Sequence, residues 1–224
     1  MNLTDEHGLA RRASRGVFGP GPPSPAPPAW DLARGARQFA PLSRDAGCAR
    51  DGWSSPPDRA CRLRILSDGA PGAYRGGLFL VNARSEPLEF AYARIRLPRT
   101  GLWRDADRAP YAARRLAGSL FEVCPRAPAL LLCLAGETGA ELFTRDLALA
   151  IPVARLAAAG AAPGEGEDAE DTTCGARLLW AGRRPGAEAP ARRLLERLAE
   201  RGLLAEPLDR AAAGLGEVYG PAGR

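Results

Sequence analysis

The chain has 224 residues, 31 basic residues that are all Arg, 26 acidic residues and a formal net charge of +5. Its 46% hydrophobic and 25% charged fractions exclude a wholly disordered chain, a collagen and a small disulfide-stapled scaffold, and leave room for one ordinary domain plus an extension. The positive charge invites a nucleic-acid partner, because clustered cations release counterions from phosphates. Abundant Arg, Ala, Gly and Pro beside scarce Asn, Gln and Ile point instead to a GC-rich, bacterial-type coding sequence, so part of the Arg enrichment is genomic.

Residues 1 to 59 read as a disordered Pro-rich N-terminal extension. Prolines 20, 22, 23, 25, 27 and 28 remove backbone donors and favour extended polyproline-II segments. The RRAS run at Arg11 to Ser14 has the form of a basic-directed phosphorylation site. No apolar targeting segment is visible, and the run APALLLCLA at 127–135 is far shorter than the roughly 20 residues of a membrane helix. A cytoplasmic protein without a membrane partner is expected.

The texture changes near residue 60, where a single α/β domain over 60–220 is predicted. CRLRIL places Leu63 and Ile65 on one face and Arg62 and Arg64 on the other, the period-2 mark of a half-buried strand. GGLFLVNARSEPLEFAYARIRL predicts a hairpin, with a strand from Leu78 to Val81, a turn near Asn82 to Pro87 and a return from Leu88 to Leu97. Ala113, Leu116, Ala117, Leu120 and Val123 recur at helical spacing and predict a helix over 110–123. Pro110 suits its first turn and Pro125 its end.

PALLLCLA at 128–135 has the continuous apolar character of a strand buried on both faces. LALAIPVARL at 147–156 predicts another strand, its second half demoted to an edge by Pro152. Residues 160–173 hold five acids and no base and read as a solvated loop. A helix over about 190–201 follows from Ala191, Leu194, Leu195 and Leu198, with Pro190 at its start and Gly202 as its stop. Leu203 and Leu204 then dock ahead of a C-terminal piece containing Glu206, Pro207 and Leu208. The order is that of a mixed-sheet α/β fold: a three-stranded antiparallel meander, a helix, further strands and a C-terminal helix.

Most catalytic chemistries lack their parts. Cys48, Cys61, Cys124, Cys133 and Cys174 form no CxxC pair, and His7 is the only histidine. The usual zinc spacings and a Ser-His or Cys-His nucleophile pair are thereby disfavoured. Neither a phosphate-binding P-loop, a GxSxG elbow nor an HExxH helix is present, and no cofactor or metal site is expected.

Three strands, a helix and a parallel strand is the element order of ribonuclease H-like nucleases, which the chain resembles in that respect. ILSDGAPG puts Asp68 at the end of the first strand, where those enzymes hold a metal-binding carboxylate. Glu122 on the first helix and Glu137 past the buried strand stand near the next two positions, so that two divalent ions would clamp a phosphodiester. Glu89 is a further acid that pairs across strands or faces solvent. A separate constellation is basic: Arg62, Arg64, Arg94 and Arg96 would form a stripe on one sheet face if register allows, with Phe90 and Tyr92 on the same parity as Arg94 and Arg96 for base stacking.

The hairpin YRGGLFLVNARSEPLEF, the helix after it, PALLLCLA and the closing LLERLAERGLLAEPLDR resemble a bacterial family marked by a Gly-Gly apolar strand and a Pro-Leu-Glu-Phe return. That resemblance covers roughly residues 74 to 218 and implies no activity or substrate. The sequence therefore favours a non-enzymatic α/β interaction or scaffold module with a protein partner. A nucleic-acid binder using the Arg-rich face and a metal-dependent ribonuclease H-like nuclease are the alternatives.

Overall fold

In a computed structural model, residues 58–98, 104–124 and 128–220 are described. The expected Pro-rich extension, the RRAS run and Pro125 lie outside these residues, apart from the last two positions of the extension. The elements are β1 (Arg59–Ser67), β2 (Ala73–Asn82), β3 (Pro87–Arg96), α1 (Asp105–Val123), β4 (Leu130–Leu134), a π-helical turn (Leu142–Asp146), β5 (Val153–Ala157), β6 (Glu167–Asp171), β7 (Arg177–Ala181), α2 (Pro190–Glu200) and α3 (Glu206–Tyr219).

The strands form one mixed sheet in the order β3-β2-β1-β4-β5-β7-β6. The β1–β2 and β2–β3 pairs are antiparallel, β4 runs parallel to β1 and β5 to β4, and β7 and β6 complete the sheet antiparallel. The expected mixed α/β class is therefore present, and its first five strands follow the ribonuclease H-like order.

Alternating side chains give the sheet two cores. Cys61, Leu63, Ile65, Leu78 and Leu80 face α1 through Leu116, Ala117 and Leu120. Ala60, Phe79, Val81, Leu130, Leu132 and Trp180 face Leu194, Leu195 and Leu198 of α2 and Leu208 and Ala211 of α3. The adjacent glycines of β2 let a helix come close on each side. A Cβ on Gly76 would lie 3.2 Å from Leu120 Cδ1 and 3.3 Å from Leu116 Cβ, while one on Gly77 would lie 3.0 Å from the Phe90 ring and 3.3 Å from Leu215 Cδ1. The Gly-Gly strand is thus a packing device, with one glycine for α1 and the other for Phe90 and α3.

Four local expectations need correction. β1 is buried on both faces, because α3 returns over the side that carries Arg62 and Arg64 and its connection supplies acceptors. Residues 147–152 are not a strand; Leu147, Leu149 and Ile151 instead pack on the α1-side core. β5 lies in the sheet interior between β4 and β7, since Pro152 precedes the first paired residue and its carbonyl accepts the Leu131 N–H at 3.0 Å.

The acidic stretch contains edge strand β6, whose charges suit an unshared edge. Trp180 Nε1 donates to Glu170 at 3.0 Å, and Glu167 pairs with Arg155. The C-terminal piece is α3, hidden in the sequence by Gly214 and Gly216, which lower helix propensity.

Substituting Gly76→Val or Gly77→Val is expected to lower stability by about 1–3 kcal/mol through overpacking. Gly216→Ala, whose added Cβ meets nothing within 4 Å, should be neutral or mildly stabilising. Urea midpoints at unchanged slope read both effects.

Candidate nucleic-acid interface and strand-end carboxylates

The β2–β3 register sets Arg75 directly opposite Arg94. Like charges at such a position repel, and Asp68 offsets them. Its Oδ1 lies 3.7 Å from Arg75 Nη1 and its Oδ2 lies 2.5 Å from Arg94 Nε, with the Asp68 side chain only 4% exposed. The turn after β1 holds it there, because the Asp68 N–H donates to Ala73 O at 2.9 Å and Gly69 and Gly72 take positive φ.

Glu137 follows β4, the strand beside β1. Its Oε1 receives Arg64 Nε and Nη2, each at 2.8 Å, and its Oε2 receives the Ile65 N–H at 3.0 Å. Burial pushes the Glu137 carboxyl up from its ordinary value, against the pull of the Ile65 N–H and Arg64. Arg64 also donates to Leu208 O at 3.0 Å.

Arg62 is fully buried and donates from Nη2 to Leu203 O at 3.2 Å, while its Nε and Nη1 find no hydrogen-bond partner among the described residues. Burial lowers its pKa to about 10, so it stays cationic at neutral pH. Arg75 reaches the far end of α3, donating to Gly220 O at 2.6 Å and Leu215 O at 3.4 Å.

The same sheet face carries a row of rings. Phe79 to Phe90, Phe90 to Tyr92 and Tyr92 to Tyr219 are spaced 5.9, 5.8 and 5.7 Å between centroids. Arg210 lies over Phe79 at 5.4 Å and Arg94 over Tyr219 at 5.8 Å. At the β3 end Tyr92 and Tyr219 are half-buried, the Tyr219 hydroxyl buried, and Arg94 and Arg96 are exposed.

The structure thus gathers the predicted site residues unevenly. Arg62, Arg64, Arg94 and Arg96 share one face, but Arg62 and Arg64 are buried beneath α3 and its connection while Arg94 and Arg96 are open. Asp68 and Glu137 stand at the C-terminal ends of adjacent parallel strands. Glu122 is exposed in the last turn of α1, which leads to the opposite end of β4, and Glu89 is half-buried on β3.

As arranged, Asp68 and Glu137 do not fit a metal pair, since each is matched to guanidinium. Among the described residues no three His, Cys, Asp or Glu side chains converge as a metal site. Burial holds Cys61 well above its usual pKa and pushes Cys133 up to about 12, so both are protonated thiols at neutral pH.

A shallow cavity of about 570 Å³ lies past β4 and β5, lined by residues including Leu134, Gly136, Glu137, Leu156, Ala158 and Ala205. Apart from Glu137 its walls are apolar or small, which leaves little to orient a small molecule. Sequence reading missed Arg75, Arg210 and Tyr219. Arg75 shares the face parity of its cross-strand partner Arg94, but that becomes visible only once the β2–β3 register is known.

No family model and no curated protein matches the chain. Among solved structures it is similar to the endonuclease V of Streptomyces avermitilis, at 15% identity and a TM-score of 0.47, covering 73% of this chain and 83% of that one. It is also similar to the endonuclease V of Bacillus subtilis, at 12% identity and a TM-score of 0.46, covering 72% and 80%. No helix among the described residues is long and apolar enough to cross a membrane.

Glu137→Gln should cost about 3 kcal/mol or more, because it strips the carboxylate from a buried guanidinium. Arg64→Met combined with Glu137→Leu should recover most of that loss. Urea unfolding of the three proteins checks the pair.

Proposed function

We propose that this chain is a nucleic-acid-binding protein that uses a ribonuclease H-like sheet to hold single strands. The observation that carries this reading is the end of the ring row at the β3 edge, where half-buried Tyr92 and Tyr219 meet the exposed Arg94 and Arg96. Aromatic faces accept bases of any sequence and neighbouring cations accept the backbone, the combination used for single-strand binding. It favours nucleic acid over the non-enzymatic protein-interaction module expected from the sequence.

A second reading, a metal-dependent nuclease, is favoured by one placement: Asp68 and Glu137 at the ends of adjacent parallel strands, where ligands of such sheets gather. It requires both acids to exchange their arginine partners for a metal.

Titration of the purified chain with a fluorescent 15-nucleotide oligothymidylate at low and high salt, with and without manganese, tests both. Binding that weakens with salt is expected. Tyr92→Ala should weaken it by roughly 5- to 150-fold, the range of one lost base stack of about 1–3 kcal/mol, and Arg96→Ala should flatten the salt dependence by about one phosphate contact. Manganese-dependent cleavage lost in Asp68→Asn would put the nuclease first; neither binding nor cleavage would end both readings.

A further inference from the structure

Of the arginines beneath α3, Arg64 and Arg75 face Glu137 and Asp68, whereas Arg62 is poorly matched for a residue that carries a permanent charge. Arg62 forms no ion pair among the described residues and leaves two nitrogens without acceptors. Arg75 leaves its Nε without one. Arg62, Arg64 and Arg75 donate to neutral carbonyl oxygens of the turn before α3, of α3 and of the residue after it: Leu203, Leu208, Leu215 and Gly220; the Asp209 carboxylate of α3 also lies 3.8 Å from Arg64. A phosphate oxygen would be a stronger acceptor for each, because hydrogen bonds between two charged groups are about twice as strong as neutral ones.

The element that supplies most of these carbonyls is weakly built. Its N-cap, Ala205, makes no side-chain cap, so one of its first N–H groups lacks that acceptor. Gly214 and Gly216 lower its helix propensity. Its buried residues are Pro207, Leu208, Ala211 and Leu215, a narrow apolar stripe. Under that stripe lie Phe79 and Phe90, continuous with half-buried Tyr92 at the β3 edge.

We infer that α3 is a displaceable cover over a second, larger single-strand-binding face made by Arg62, Arg64, Arg75, Phe79 and Phe90. A strand that engages the Tyr92–Arg94 edge would extend inward as its phosphates replace the α3 carbonyls and its bases replace Leu208 and Leu215 on the rings. This rests on the nucleic-acid reading above and adds the larger face and the cover that gates it.

Hydrogen–deuterium exchange of the full chain with and without the oligothymidylate, at low salt, reads the cover directly. Amides of 206–219 should exchange at least tenfold faster in the complex. In parallel, Leu215→Ala, which loosens α3 but leaves every arginine in place, should tighten binding about tenfold, and adding Arg62→Gln should reverse that gain. If the oligonucleotide binds while α3 amides keep or gain protection, the cover is overturned and the edge site stands. If it does not bind at all, both fall. The exchange measurement on the unmutated chain decides even if Leu215→Ala fails to fold.

Discussion

Three guanidinium groups on one face of the sheet, those of Arg62, Arg64 and Arg75, set the terms for the rest of the molecule. Arginine does not lose its proton in a protein interior, so burial cannot be relieved by neutralisation and acceptors must be brought to it. α3 and the turn before it bring carbonyls; the ends of β1 and β4 bring Asp68 and Glu137. The strand-end acids and the C-terminal helix are two answers to one electrostatic demand. That demand also fixes where α3 lies, since its carbonyls have to fall within reach of side chains spread across β1 and β2.

This allocation gives the ribonuclease H-like arrangement a different character. Two acids at the ends of neighbouring parallel strands would ordinarily repel and invite cations from solution. Here a fixed cation faces each of them, and the negative potential at that end of the sheet is largely cancelled. Exposed positive charge persists at the β3 edge, where Arg94 lies over Tyr219 of α3 and Arg96 faces solvent. The exposed positive charge therefore lies at the β3 edge, apart from the strand ends where acids and guanidinium groups offset each other.

Much of the architecture could be read from the residues because local periodicity expresses it. The meander, the amphipathic α1 and α2 and the apolar β4 each declare themselves by spacing alone. Longer-range facts did not. The alternation of Leu63 and Ile65 with Arg62 and Arg64 is genuine, but polarity does not distinguish water from a helix that returns about 140 residues later. β6 was obscured by acids whose partners, Arg155, Arg184 and Arg192, come from other elements.

Of the candidate acids, the positions of Asp68 and Glu137 at strand ends were legible, whereas their partners depend on register. Glu122 failed to join them because helix direction puts it at the wrong end of the sheet. The Gly-Gly pair was visible as a motif, and its purpose emerged only with a helix on either side.

The hydrogen bonds that fasten α3 and the residues flanking it to the sheet and its hairpin turn join positions 125 to 145 apart. Contacts of such sequence separation form late and slow the search for the native state. During synthesis the meander is made well before residues 203–220, so Arg62, Arg64 and Arg75 lack those carbonyl acceptors until the C-terminal residues follow. The nascent chain must pass that stage without its own cover, and completion of the last helix is what closes the sheet.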